Sequence, residues 1–244
     1  MYNIRINTPV ISLVFLSALQ FAIQLKGGQE YSLKEDLSIG VDIGDENLTF
    51  DRISDISLDA AQNIYVLDSR SALIKKFDPQ GKFLLVKRIN RGQAPHEATQ
   101  PSTLAITPAG TVFLLDFSAK KIIVFDVDFE FKNSIQPAYQ LTHCVPYGED
   151  EIAILGFKDD NLIRIYDADG NHRQSFGQAF EVPSNLSQYK DMPMLKAPMR
   201  FSGAADKRLF VLNPHKYEID TQGRIYCSEA EDFPRVVRYR VVKE

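Results

Sequence analysis

The chain has 244 residues, 28 Lys and Arg against 32 Asp and Glu for a net charge of −4, two cysteines and no tryptophan. That composition is ordinary for a globular protein and excludes a disordered, collagen-like or disulfide-stapled chain. The acidic balance argues against nucleic acid as a partner, because a general nucleic-acid binder needs surplus Lys and Arg to displace counterions from phosphates.

Residues 1–28 differ from the rest. One cation, Arg5, precedes an uncharged run at 9–23, PVISLVFLSALQFAI. A cationic start followed by an apolar stretch shorter than the ~20 residues that cross a bilayer reads as an export signal. An uncleaved N-terminal anchor and a buried helix are the alternatives. Ala18 and Ala22 are the small residues near a cleavage point, and no cysteine lies near the end of the run, so a lipid anchor is not indicated. The expected location is the periplasm, the cell envelope or the medium, with membrane contact only through this segment if it stays uncleaved.

Residues 29–244 repeat themselves. ISLDAAQNIYVLD at 56–68 superimposes on LAITPAGTVFLLD at 104–116, and the same shift carries Phe77 and Asp78 onto Phe125 and Asp126. A third copy runs through EIAILG at 151–156 and IRIYD at 163–167, and another through IDTQGRIYCSE at 219–229 and VVRY at 236–239. Each unit reads as strands. A short alternating strand (Ile56, Leu58) meets a turn with Asn or Gly, then a nearly continuous apolar strand, a polar turn, a second alternating strand, and a turn such as FDPQG or YDADG before the last strand. β-Branched and aromatic residues fill the strands while Asp, Asn, Pro and Gly occupy the turns, and no segment beyond residue 28 has a convincing helical period. Four antiparallel strands repeated every 40 to 48 residues predict an all-β fold, a β-propeller whose blades pack face to face. The expected blades are roughly 53–100, 101–140, 141–180, a diverged unit at 181–218 and a partial one at 219–244.

The run Asn63 to Asp68 followed by Ile74 to Lys82 resembles NHL-type repeats. The connector NRGQAPHE at 90–97 looks like the glycine-rich linker between blades of bacterial six-bladed NHL-like propellers, with Ala94 and His96 in place of two glycines. The resemblance covers most of residues 30–240 and implies a toroid used as a binding scaffold, only some relatives being enzymes. About 216 residues beyond the signal, at 40 to 48 per unit, make about five blades. Either a five-bladed ring closes by pairing a strand near 37–41 with one near 236–242, or the chain holds part of a six-bladed ring with an open edge.

The acid that ends the inner strand recurs as Asp68, Asp116 and Glu229, with Gly156 in its place in the third copy and Asn213 at the matching point of the fourth. Such an acid can accept backbone N–H bonds and hold the corner. The functional reading is an axial anionic ring, with Asp68, Asp116, Asn213 and Glu229 as candidate ligands of a calcium ion. The motif by which lactonase-like propellers hold a central metal has no match here. Asp167 to Asn171 fails the pattern of a calcium-binding helix-loop-helix and reads as a hairpin turn. His96, His143, His172 and His215 lack the short spacings of a zinc site and read as surface or loop residues. Cys144 and Cys227 read as inert thiols, with a disulfide as the alternative. Residues 30–59 hold nine acids against two bases, whereas 75–91 hold six bases against one acid. No catalytic motif appears, so the expected role is non-catalytic recognition of a protein, peptide or glycan. A metal-dependent propeller hydrolase or lyase with a ligand in the central channel is the competing class.

Overall fold

The computed structural model describes residues 31–158, 161–178, 200–203, 209–212, 217–219, 225–229 and 235–243. They are strands and turns throughout. β1 (Tyr31–Ile39) is followed by a four-stranded meander, β2 (Ile53–Leu58), β3 (Ile64–Asp68), β4 (Leu73–Phe77) and β5 (Phe83–Arg88), which is blade I. Blade II is β6 (Pro101–Ile106), β7 (Val112–Asp116), β8 (Lys121–Phe125) and β9 (Phe131–Ile135). Blade III is β10 (Gln140–Tyr147), β11 (Glu151–Lys158), β12 (Asn161–Asp167) and β13 (His172–Gln178). Sheet IV is the pair β14 (Arg200–Gly203) and β15 (Leu209–Leu212). Sheet V orders β16 (Tyr217–Ile219), β17 (Ile225–Glu229) and β18 (Arg235–Lys243) and takes β1 as its fourth strand.

The near-continuous apolar runs of the sequence have a simple cause: each central strand is covered on both faces. In β3 the period-two alternation sends Tyr65 and Leu67 towards blade II, where they meet Leu104, Leu114 and Phe125. Ile64 and Val66 point the other way and pack with Ile39 and Val236 of sheet V. In β7, Leu114 faces blade I while Phe113 and Leu115 face Leu141, Ile152 and Ile154 of blade III. A fully buried side chain of this size contributes about 1.5–3 kcal/mol, and the V–I, I–II and II–III interfaces each hold several of them. Strands β5 and β9, at the rim, are largely exposed.

Neighbouring sheets meet chiefly through β2, β6, β10, β14 and β16, which are therefore the innermost strands. This corrects the sequence assignment of the inner strand, because the strands ending in Asp68 and Asp116 are the second of their blades. β15, read as an inner strand, is likewise second in its pair. The two ends of the fold share sheet V, with Tyr31 opposite Lys243 and Ile39 opposite Val236. That is the pairing expected of a ring closed by its first strand. Among the described residues the succession of packed sheets runs V, I, II, III, IV, with no extensive packing between IV and V.

Candidate functional site

The innermost strands place one residue per blade at a shared register. Asp55, Thr103 and His143 stand opposite Leu67, Leu115 and Leu155 of their second strands. All three are buried. An innermost strand has a free edge whose N–H groups need acceptors, and blade I supplies them to blade II. Asp55 Oδ2 accepts the N–H of Leu104 at 2.8 Å and Ser57 Oγ accepts that of Ile106 at 3.1 Å. One blade further, Cys144 Sγ donates to Thr103 Oγ1 at 3.9 Å. Burial, reinforced by the Asp55 charge, pushes the Cys144 thiol up to about 12, which keeps it protonated and unreactive at neutral pH. Cys144 is free, and the side chain of Cys227 lies outside the described residues. His143, read as a surface or loop residue, is a buried residue of β10.

Asp68 and Asp116 are buried at the ends of β3 and β7. Both oxygens of each are occupied by backbone donors. Asp68 accepts from Asp51 (2.8 Å) and Arg52 (2.9 Å), and Asp116 from Thr99 (2.6 Å) and Gln100 (3.0 Å). Each thereby fastens the segment entering its blade to the corner where the second strand turns. Of the other candidate calcium ligands, Asn213 lies outside the described residues and so does the side chain of Glu229. Among the described residues no three His, Cys, Asp or Glu side chains converge as a metal site would require.

Blade III departs from this pattern for a steric reason. A Cβ on Gly156 would sit 2.6 Å from the Gln140 carbonyl oxygen and 2.7 Å from the Tyr139 ring. Tyr139 fills the corner instead, with the Arg164 guanidinium 4.6 Å from its ring centre and its hydroxyl bonded to that of Tyr166. Burial and the Tyr166 contact raise the Tyr139 phenol above its ordinary range.

The run from Asp167 to Asn171 is a hairpin turn. Asp167 Oδ1 accepts the N–H of Asn171 at 2.7 Å and Gly170 adopts φ +86°. Asp78 and Asp126 cap the same turn of blades I and II. His172 bonds Ser175 within β13, His96 stands edge to face against Phe131, and His215 lies outside the described residues.

Two exposed features lie at the rim of the described blades. Strand β5 shows Leu84, Leu85 and Val86 to solvent between Lys82 and the pair Lys87 and Arg88. Beside β9, the connector from blade I forms one wall of an open groove of about 660 Å³.

The family described as a 6-bladed beta-propeller, DUF5128, matches residues 44–188. The chain belongs to this family. A protein of Bacteroides fragilis predicted to be exported shares the fold, with a TM-score of 0.51 at 12% identity over 83% of this chain and 54% of that one. Myxococcus xanthus glutaminyl cyclase gives a TM-score of 0.54 at 7% identity, over 87% of this chain and 97% of that one. The chain thus spans little more than half the length of the Bacteroides protein it matches. No curated protein sequence matches it.

Proposed function

We propose that this propeller is an exported, non-catalytic recognition scaffold that holds a protein, peptide or glycan on its exposed loops and rim. The observation that carries the reading is how the interior polar groups are spent. Asp55, Asp68 and Asp116 accept backbone N–H bonds and Cys144 is held protonated, so these groups build the toroid. Among the described residues, exposed polar and apolar side chains gather on the connector, β5 and β9, with Leu84, Val86 and Phe131 open to solvent and Gln93 and Gln136 beside the groove. Loops positioned by a rigid frame are where binding residues concentrate. The expectation of an export signal and the likeness to a Bacteroides protein predicted to be exported support the location.

The test is affinity capture with the tagged full chain from the envelope fraction and medium of the native organism, followed by mass spectrometry and glycan profiling. A partner enriched over a tagged control propeller is expected. Absence of any enriched protein, peptide or glycan would overturn the proposal. So would bound calcium or zinc in the purified protein together with metal-dependent turnover of a substrate.

A further inference from the structure

We propose that the groove between the blade I to blade II connector and β9 is a carbohydrate-binding site, taking a short run of sugar units along the rim of blade II. This inference rests on the recognition reading and names its ligand class. At about 660 Å³ the groove falls in the 300–1,000 Å³ range typical of small-ligand sites.

Its lining points to sugars. Gln93, Thr99, Ser118, Asn133, Ser134 and Gln136 contribute uncharged carboxamides and hydroxyls. Thr99 donates to the Gly92 carbonyl, Ser118 to Gln100 and Asn133 to the Asp169 carbonyl, so Gln93, Ser134 and Gln136 carry most of the open hydrogen-bonding capacity. Such groups both donate and accept, which matches a sugar's hydroxyls, each of which does the same. Phe131 adds an aromatic ring that is 42% exposed, a surface on which the C–H face of a pyranose can lie. His96 stands edge to face against the ring, with the two centroids 5.9 Å apart. Lys121 and Lys132 provide positive charge and, among the described residues, no carboxylate lines the groove, which favours neutral or uronate-bearing glycans over cationic ones.

The connector wall is preorganised. Buried Lys121 donates to the carbonyls of Gln93 and Ala94. Arg91 donates to Ser69, Arg70 and Thr99 carbonyls at 2.8–2.9 Å. The Glu97 carboxylate accepts the Ala94 N–H and packs against Gly92, where a Cβ would lie 1.9 Å from Glu97 Oε2. A wall held by this many bonds loses little freedom on binding, which is how a shallow polar site gains affinity. A peptide would use this region differently, by adding a strand to the free edge of β9.

The experiment is affinity electrophoresis of the full chain in gels containing xylan, mannan, β-glucan, polygalacturonate or chitosan, with calorimetry on the matching oligosaccharides. Phe131, Gln93 and Gln136 are exposed, so Phe131→Ala and the double variant Gln93→Ala with Gln136→Ala keep the fold, as circular dichroism would verify. Retardation in a neutral or uronate gel, lost or weakened about tenfold in both variants, is expected. No retardation in any gel overturns the proposal, and so does retardation that both variants retain or that occurs only with chitosan. Capture of a protein or peptide by the full chain while every glycan gel stays silent overturns the carbohydrate assignment and leaves the recognition reading standing. Silence in both assays removes both.

Discussion

Arg238 of β18 donates from Nε to Asp36 of β1 at 2.7 Å, joining residues 202 apart in sequence inside sheet V. The same guanidinium donates from Nη1 to the carbonyl of Pro79 in the turn between β4 and β5 of blade I. In that turn Gly81, at φ +83°, lies so close to β1 that an added Cβ would come within 2.9 Å of Leu37. One side chain therefore binds the last strand, the first strand and the first blade.

Removing it leaves Asp36 with a side chain only 23% exposed and no Arg238 partner. Arg238→Ala is expected to cost about 1.5–3 kcal/mol, the range for losing hydrogen bonds to a charged group in a partly buried setting. The control is Arg70→Ala, whose pair with Asp51 is 66% and 40% exposed and should change stability by less than about 0.5 kcal/mol. Urea denaturation of both variants checks this, and limited proteolysis should find β1 cleaved first in Arg238→Ala alone.

The corner carboxylates give a second outcome. Asp68→Asn and Asp116→Asn keep size but replace one acceptor oxygen by a donor facing a backbone N–H. Each variant is expected to lose about 1–3 kcal/mol, the cost of an unsatisfied buried group. The two corners share no partner, so the double variant should lose the sum. A loss of stability that appears only when calcium is present would instead identify these carboxylates as ligands.

Gly156 tests why blade III lacks its acid. Gly156→Ala drives a Cβ into a backbone carbonyl and an aromatic ring that cannot both withdraw. A loss of about 1–3 kcal/mol is expected from such overpacking. Gly156→Asp should be at least as damaging despite restoring the repeat's residue, since Tyr139 already occupies the corner. Thermal melts of the two variants decide the matter.

Blade I and blade II were legible in the sequence because their turns and apolar runs superimpose residue for residue from Ile56 to Asp68. The Asx-type turns at Asp78, Asp126 and Asp167 were legible for the same reason, since a carboxylate at that offset has a local partner. The axial register was not. Asp55, Thr103 and His143 follow from the same shifts of 48 and 40, yet they differ in type, and a search for a recurring acid passes over them. What they share is their place on the innermost strand, and which strand is innermost depends on contacts between blades that no local pattern encodes. The groove beside β9 was hidden likewise, because its walls come from a connector and a rim strand about 40 residues apart and meet only after the blades pack.

The thiol of Cys144 offers a chemical readout of the axis. With its pKa pushed up to about 12 and its side chain enclosed, Cys144 should react with iodoacetamide at pH 8 at least about a hundredfold more slowly in the folded protein than in urea. Mass spectrometry after a timed pulse distinguishes it from Cys227. Rapid native labelling of Cys144 would show that the innermost strands part easily.

Asp167 links the turn of blade III to pH. Burial by itself would raise its pKa, but the Asn171 side-chain and backbone bonds and the Arg173 charge outweigh it, so the folded-state value lies below the ordinary one. A carboxylate with a depressed folded pKa stabilises fully above its unfolded value of roughly 4 and loses that contribution as pH falls through the folded one. Stability of the parent protein should therefore decline between about pH 5 and pH 2, and Asp167→Asn should lower stability at pH 7 while making that decline shallower. Urea midpoints measured across this range provide the check. Parallel curves for the two proteins would show that the turn is held by Asn171 and the backbone without help from the charge.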